Sequence, residues 1–504
     1  MHLQLNVRRE VLFLFLYIFL SNMALINEGA TQGYSAVVLP ILTSNTSSLT
    51  LNKMEILFFA STVSITPLIG SLLCLITMHY GRRCTMIVCG VNFSLGWILI
   101  ASSYNVTQFF IGRVLTGISI GFASPSIEIY LAEISLPAWR EVATITPNIG
   151  VSVGVLLVYF LGFVAQNNWR LIAAFFTIPS ITLVLCNIFF LRESPIWLLL
   201  KGRKEAAKIA LLHIRGLFQE TIEFQEEFTR MVNYNTTTLT NDLKTSENCQ
   251  IDSLTTKTGK KSFLTNISNK LKNIKRIILL PEVWKPIVIL NFFFFFQRFS
   301  GTYVIIYYCV DIISRINITI DPFLITVIMG IIEVILNIIS ACCSMRIGRR
   351  SISIVSGTGM SLSLGVLVVY LQFFEDTGVV VVPLICILSY VALGAYGFFP
   401  LPWSMIPELY PTKYINFLGP LTIIVVLLYD YIATQLYPIM ITHDRNGTIY
   451  FYCIISIIAT IFLIIVLPET RGKTKTQIEE TFRGKIDEST LQMDETFKKI
   501  EDAY

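Results

Sequence analysis

Glu333, Asn337, Ser340 and Ser344 are spaced four, three and four apart within a run of Ile, Val and Leu. That spacing puts all four on one face of a helix. A polar stripe on an apolar helix turns to a water-filled cavity or to a neighbouring helix. The carboxylate of Glu333 argues for the cavity, because charge is costly in hydrocarbon. A second cluster, Gln297-Arg298-Phe299-Ser300-Gly301-Thr302-Tyr303, lies midway along another apolar run. Ser-Gly weakens a helix there, and the freed backbone and side chains can meet a solute. Asp430 shares a helical face with Thr434 and Tyr437, and Glu28 shares one with Gln32 and Ser35. Arg298 and Asp430 read equally as a structural ion pair or as solute ligands. A lone charge at the bilayer midplane costs at least about 2.5–3.5 kcal/mol, so the spacing predicts an Arg298–Asp430 contact with Glu333 nearby, protonated if buried. Glu28 is a candidate proton site or the floor of a wet vestibule. Trp403 stands among Pro400, Pro402, Pro407 and Pro411. The prolines predict a kinked, gate-like helix, and the indole lies too deep for an interfacial belt, so a ring that stacks on solute is expected.

Other chemistries find no residues to carry them. There is no G-x-x-x-x-G-K-[ST] loop, nucleophile elbow or metal-ligand helix. The ten cysteines include no C-x-x-C pair and the four histidines are scattered. No enzyme, metal or cofactor is expected. The formal charge of +5 comes from loop lysines and arginines and reads as membrane topology, not as a nucleic-acid surface.

The elements that must position these residues are membrane helices. The 504-residue chain is 54% hydrophobic and 14% charged, against about a quarter charged in soluble domains. Apolar runs of roughly 20 residues match about 30 Å of hydrocarbon as helices. They predict twelve spans near 12–39, 56–78, 85–103, 108–133, 142–165, 170–191, 286–313, 322–345, 352–373, 379–406, 416–440 and 449–467. A retained first span is favoured over a signal peptide, since no small-residue cleavage site follows Arg8-Arg9. Basic clusters at Arg8-Arg9, Arg82-Arg83, Arg140, 192–285, Arg346/Arg349/Arg350, Lys413 and Arg471/Lys473 fall on one side, which the positive-inside rule makes cytoplasmic, with both termini. The sequons at Asn45, Asn105, Asn317 and Asn446 then fall outside, Asn45 being the best glycosylation candidate. A plasma-membrane location and a monomer surrounded by lipid are expected.

The chain divides into a six-helix bundle at 1–191, a cytoplasmic linker at 192–285, a second six-helix bundle at 286–467 and a cytoplasmic tail at 468–504. Lys201–His213 reads as a loop entering an amphipathic helix, 233–270 as a mobile polar stretch, and Gln477–Phe482 as a short tail helix. The two bundles repeat each other. Gly81-Arg82-Arg83 after span two matches Gly348-Arg349-Arg350 after span eight. Glu193-Ser194-Pro195 after span six matches Pro468-Glu469-Thr470 after span twelve, and Glu133, seven before Arg140, matches Glu408. Duplicated bundles are the plan of transporters that rock around a midplane site.

These motifs, with Tyr130-Leu131-Ala132-Glu133, Trp169-Arg170, Lys201-Gly202-Arg203, Tyr307-Tyr308 and Pro402-Trp403, resemble the sugar porter family of the major facilitator superfamily along nearly all the spans. The stretch Gly33-Tyr34-Ser35-Ala36-Val37 and Pro147 is most similar to an insect branch described as facilitated trehalose transporters. The resemblance implies the all-α major facilitator fold. It implies that Arg82, Arg83, Glu133, Arg140, Glu193, Arg349, Arg350, Glu408 and Glu469 form ion pairs that close the cytoplasmic side. It also implies that Gln297, with polar residues of spans five, eight, ten and eleven, holds sugar hydroxyls. The family's polar positions fall here at Asn148, Arg298, Tyr303, Glu333 and Asp430, and its span-eleven tryptophan at Leu427. Trp403 matches. Met78, Met345 and Ile415 replace family gate partners, which predicts a weaker second-half gate.

Ser35 takes the place of an aspartate found in proton-coupled relatives. A facilitated carrier of a hexose, trehalose or polyol is therefore the leading expectation. A proton symporter using Glu28, Glu333 or Asp430 is the first alternative, and a non-transporting solute sensor the second.

Overall fold

The computed structural model describes residues 2–43, 49, 51–136, 139–165, 168–217, 219–233, 280–314, 320–374, 380–411, 414–471 and 475–483, with the backbone alone at 2–8, 53, 57, 60, 140, 141, 345, 415–417, 475, 476 and 479. Among these residues every regular element is helical. The first six spans are His2–Thr43, Lys53–Thr77, Arg82–Ala101, Val106–Ile134, Arg140–Val164 and Trp169–Phe189. Span seven is broken into Pro281–Phe299 and Thr302–Ser314. Spans eight and nine are Pro322–Ile347 and Arg349–Phe373, span ten is Val381–Leu393 with Leu401–Leu409, and spans eleven and twelve are Ile415–His443 and Arg445–Val466. Eleven of these are long and apolar enough to cross a membrane, and the second carries a shorter apolar helix, Ser61–Thr77.

Two boundaries differ from the sequence reading by five residues or more. Span one reaches back to His2 and span seven starts at Pro281, where a proline in the first turn is pre-set for a helix start. The helices Pro195–Leu200, Lys204–Arg215 and 222–233 follow span six. They join the first bundle: Arg215 donates to the Ile134 carbonyl at 2.9 Å and pairs with Glu227 at 2.6 Å. From residue 234 the expected polar stretch lies outside the described residues. A tail helix, Lys475–Arg483, leans on the second bundle, where Lys285 donates to the Phe482 carbonyl at 2.8 Å.

Small residues bring helices together within the first bundle. A Cβ on Gly121 would collide with the Pro67 carbonyl and the Ser71 amide of span two, and one on Gly154 with the Ile26 carbonyl of span one. Close approach of this kind is a main source of association between membrane helices. Gly121→Val should therefore lower thermal stability in detergent by about 1–3 kcal/mol. Gly365→Ala, where nothing lies within 4 Å, should leave it unchanged or higher. Equal melting temperatures for the two would refute this packing account.

The helix breaks are satisfied locally, as lipid requires. At Gly301 (φ +91°) span seven turns. The Ser300 carbonyl accepts from the Tyr390 hydroxyl at 2.7 Å, and the Gln297 carbonyl from Thr302 at 2.6 Å. In span ten one π-helical turn, Gly394–Phe398, precedes Pro400 and Pro402. The bundles meet chiefly along three helix pairs: span one with Thr302–Ser314, span two with span eleven, and span five with span eight. Hydrogen bonds join Ser64 to Thr434 (3.2 Å), Asn337 to Ser152 (2.6 Å) and Tyr159 to the Ile306 carbonyl (3.0 Å).

Candidate functional site

A cavity lies between the bundles, with about 750 Å³ of empty space that includes the open solvent at its mouth. Span one supplies Glu28 and Gln32, span four Ser124 and Glu128, and span five Asn148. Spans seven, ten and eleven supply Arg298, Tyr303, Trp403 and Asp430. Spans one, five, seven and eleven start at the end that carries the Gly-Arg-Arg turns, and spans four and ten finish there. Asn148 and Trp403 thus sit in the halves of their spans nearer that basic end. Tyr159, Ile306, Ser64 and Thr434 stand further toward the opposite end.

Arg298 is 3% exposed, and its buried Nε has no hydrogen-bond partner among the described residues. Its Nη1 donates to Asp430 Oδ1 at 3.1 Å, and its guanidinium lies 3.4 Å from the Tyr303 ring centroid and 5.8 Å from that of Trp403. The Tyr307 hydroxyl donates to the other Asp430 oxygen at 3.3 Å. Helical spacing explains the convergence: Arg298 sits just before the break, Tyr303 and Tyr307 just after it and four apart. The expected Arg298–Asp430 contact is present, and it lies within the second bundle.

Two expected cavity residues face elsewhere. Glu333 is buried with Ser152 of span five as its hydrogen-bond partner, and Asn337, four residues on, donates to the same hydroxyl. Glu333 and Asn337 of the span-eight stripe thus line the seam with span five. Gln297 turns into the second bundle, where its amide donates to the Phe398 and Phe399 carbonyls at 2.9 and 2.8 Å. Those carbonyls are freed by the break in span ten, so the side chain ties one break to the other.

Glu28 lines the cavity as expected, accepting from Ser124 at 2.8 Å and from Gln32 at 3.4 Å. Glu128 was not anticipated. It is four residues after Ser124 in an apolar span, which is the signal that would have found it. Ser35 is occupied elsewhere: Arg113 donates to its hydroxyl at 2.5 Å and to the Thr31 carbonyl at 3.0 Å, under the rings of Tyr34 and Phe59.

At the basic end the two bundles carry the same clasp. Gly81 (φ +131°) and Gly348 (φ +93°) make the turns, and a Cβ on either would strike the carboxylate of Glu193 or Glu469 respectively. Glu193 accepts from the Arg82, Arg83 and Ser194 amides, and Glu469 from those of Arg349, Thr470 and Arg471. The first arginine of each motif pairs with an acid at the end of span four or ten: Arg82–Glu133 at 2.7 Å and Arg349–Glu408 at 2.5 Å. The second caps the last carbonyls of span six or twelve, Arg83 on Asn187 and Arg350 on Ile464. Burial raises the Glu193 carboxyl above the usual carboxylate range, against the pull of the three amides. Each clasp thus binds helices of one bundle, and the second has the same parts as the first despite Met78, Met345 and Ile415. The side chain of Arg140 and all of Asn45 lie outside what is described.

The family model described as "Sugar (and other) transporter" matches residues 12–482. The facilitated trehalose transporter Tret1 of Apis mellifera ligustica is 27% identical over 472 residues, covering 92% of this chain and 87% of its own. The Tret1-2 homolog of Drosophila sechellia is 29% identical over 420 residues, covering 81% and 78%. Among solved structures, the partially occluded inward-open xylose transporter XylE from E. coli superposes with a TM-score of 0.70 at 21% identity, over 92% of this chain and 99% of that one. A double-tryptophan mutant of XylE gives 0.74 at 21%, over 93% and 99%. At these identities the likeness shows the fold.

Proposed function

The chain belongs to the sugar (and other) transporter family, and from that premise we propose that it carries a sugar-like solute, a hexose, trehalose or polyol, by facilitated diffusion through alternating access. The observation that carries this reading is the cavity between the bundles. It joins an aromatic face, Trp403, to the hydrogen-bonding groups of Asn148, Gln32 and Tyr303. Hydroxylated rings are held by this combination of stacking and fixed polar groups. Passive transport is supported by Arg113. This buried cation rests on a neutral hydroxyl and a carbonyl of span one, so no span-one carboxylate beside it is available to take up and release a proton. The basic end is taken as cytoplasmic, with both termini, and the membrane as the plasma membrane.

Proteoliposomes holding the purified chain should take up one labelled hexose, trehalose or polyol saturably, to equal concentration inside and out. A collapsed pH gradient should not change the rate. Trp403→Ala should weaken half-saturation by up to about tenfold, the worth of one aromatic contact. Uptake that stops when the pH gradient is removed would replace facilitated diffusion with proton symport.

A further inference from the structure

The cavity's charges do not balance for a neutral sugar. Its lining holds three acids, Glu28, Glu128 and Asp430, and one cation, Arg298. Arg298 is committed to Asp430 at 3.1 Å, although its field reaches Glu28. Glu28 is 7% exposed, and its hydrogen-bond partners among the described residues are the neutral groups of Ser124 and Gln32. Glu128 has no ion pair or hydrogen bond among the described residues.

The second observation is a neutral one. Gln32 is 7% exposed, and while its amide nitrogen donates to Glu28, its Oε1 is buried with no partner. Buried acceptors are nearly always matched by a donor. At this wall of the cavity the free positions all belong to acceptors: the Gln32 carbonyl oxygen and the carboxylates of Glu28 and Glu128. Glu28 and Gln32 are one helical turn apart on span one, and Glu128 follows Ser124 by one turn on span four. The two helices therefore present their acceptors to the same space. A hydroxyl donates one hydrogen and brings no charge. A protonated amine donates three and neutralises a carboxylate.

Resting on the carrier reading above, we propose that the solute is a sugar or polyol bearing a protonated amine, seated with its ammonium group against Gln32, Glu28 and Glu128 and its ring toward Trp403. A neutral counterpart would supply no charge to the Glu28 and Glu128 carboxyls, which would then have to be hydrated or take up a proton.

The test uses the intact chain in proteoliposomes, with labelled glucosamine and glucamine against glucose and glucitol. Each aminated solute should be favoured over its neutral partner by about tenfold or more in uptake at low concentration. The same order should appear in competition for binding, read by quenching of Trp403 fluorescence against a Trp403→Phe control. Glu28→Gln and Glu128→Gln should each shrink the preference for the aminated solute over its neutral partner. The wild-type comparison stands even if a variant fails to fold. Equal or better handling of the neutral sugars overturns the ammonium site and leaves the sugar-carrier reading standing. Neutral-sugar uptake driven by a pH gradient and lost in Glu28→Gln overturns it too, since a proton then supplies the charge. Failure to bind any of the four, while the protein remains folded and Trp403 responds to another class of solute, overturns both.

Discussion

An Asp430→Asn chain should be recovered folded in far lower yield than wild type. The substitution strands Arg298, buried and held among Tyr303, Tyr307 and Trp403. Removing one partner of a buried pair typically costs about 3–5 kcal/mol, while replacing both by neutral groups is close to neutral. Arg298→Gln alone should do similar damage by stranding Asp430, whose only other hydrogen-bond donor among the described residues is Tyr307. The double variant should regain most of the yield and melting temperature. Thermal unfolding of detergent-solubilised protein by size-exclusion chromatography measures all three. If Asp430→Asn folds as well as wild type and instead gains affinity for anionic solutes, the pair is not structural and Arg298 is a solute ligand.

Gly81→Ala should be the most damaging single methyl at the basic end. Its backbone, at φ +131° and ψ +158°, lies where non-glycine residues scarcely go, at a cost of about 1–3 kcal/mol. The new Cβ also meets the Glu193 carboxylate, displacing the acceptor that three amides share. Gly348→Ala repeats the experiment in the other bundle against Glu469. Gly202→Ala is the control: φ is +74° but nothing lies within 4 Å, so only the backbone cost applies. Melting temperatures should fall in the order Gly202→Ala least, Gly81→Ala and Gly348→Ala most. A Gly202→Ala loss as large as the other two would show that the carboxylate contact adds nothing.

The sequence made the helices legible because only helices and closed barrels satisfy a backbone in lipid, and long continuous apolar runs lack the alternation of a barrel. It also made the clasp legible, because its parts recur in order in both bundles. The Arg298–Asp430 contact could be read because two opposite charges in apolar spans have few other ways to be tolerated. What could not be read was which neighbour covers a polar face. The spacing of Glu333 and Asn337 fixes that they share a side of span eight, but only the packing decides that this side meets Ser152 rather than the cavity. Gln297 failed the same way. One residue rotates a helix by about 100°, so Gln297 and Arg298, adjacent in sequence, face the break of span ten and the cavity respectively. Glu128 does carry a legible signal, a carboxyl within an apolar span four residues after Ser124.

The separateness of the two clasps also bears on how the polypeptide is made. Arg82, Arg83, Glu133 and Glu193 all precede residue 194, and the helices that follow, to residue 233, rest on the same bundle through Arg215 and Ile134. On a ribosome the first bundle can therefore close its own turn and ion pair before Pro281 has been synthesised. Folding unit by unit from the N-terminus is the ordinary course for long chains. Here it means that the second bundle arrives to find a finished partner surface along spans one, two and five, so the cavity is the last part of the molecule to exist.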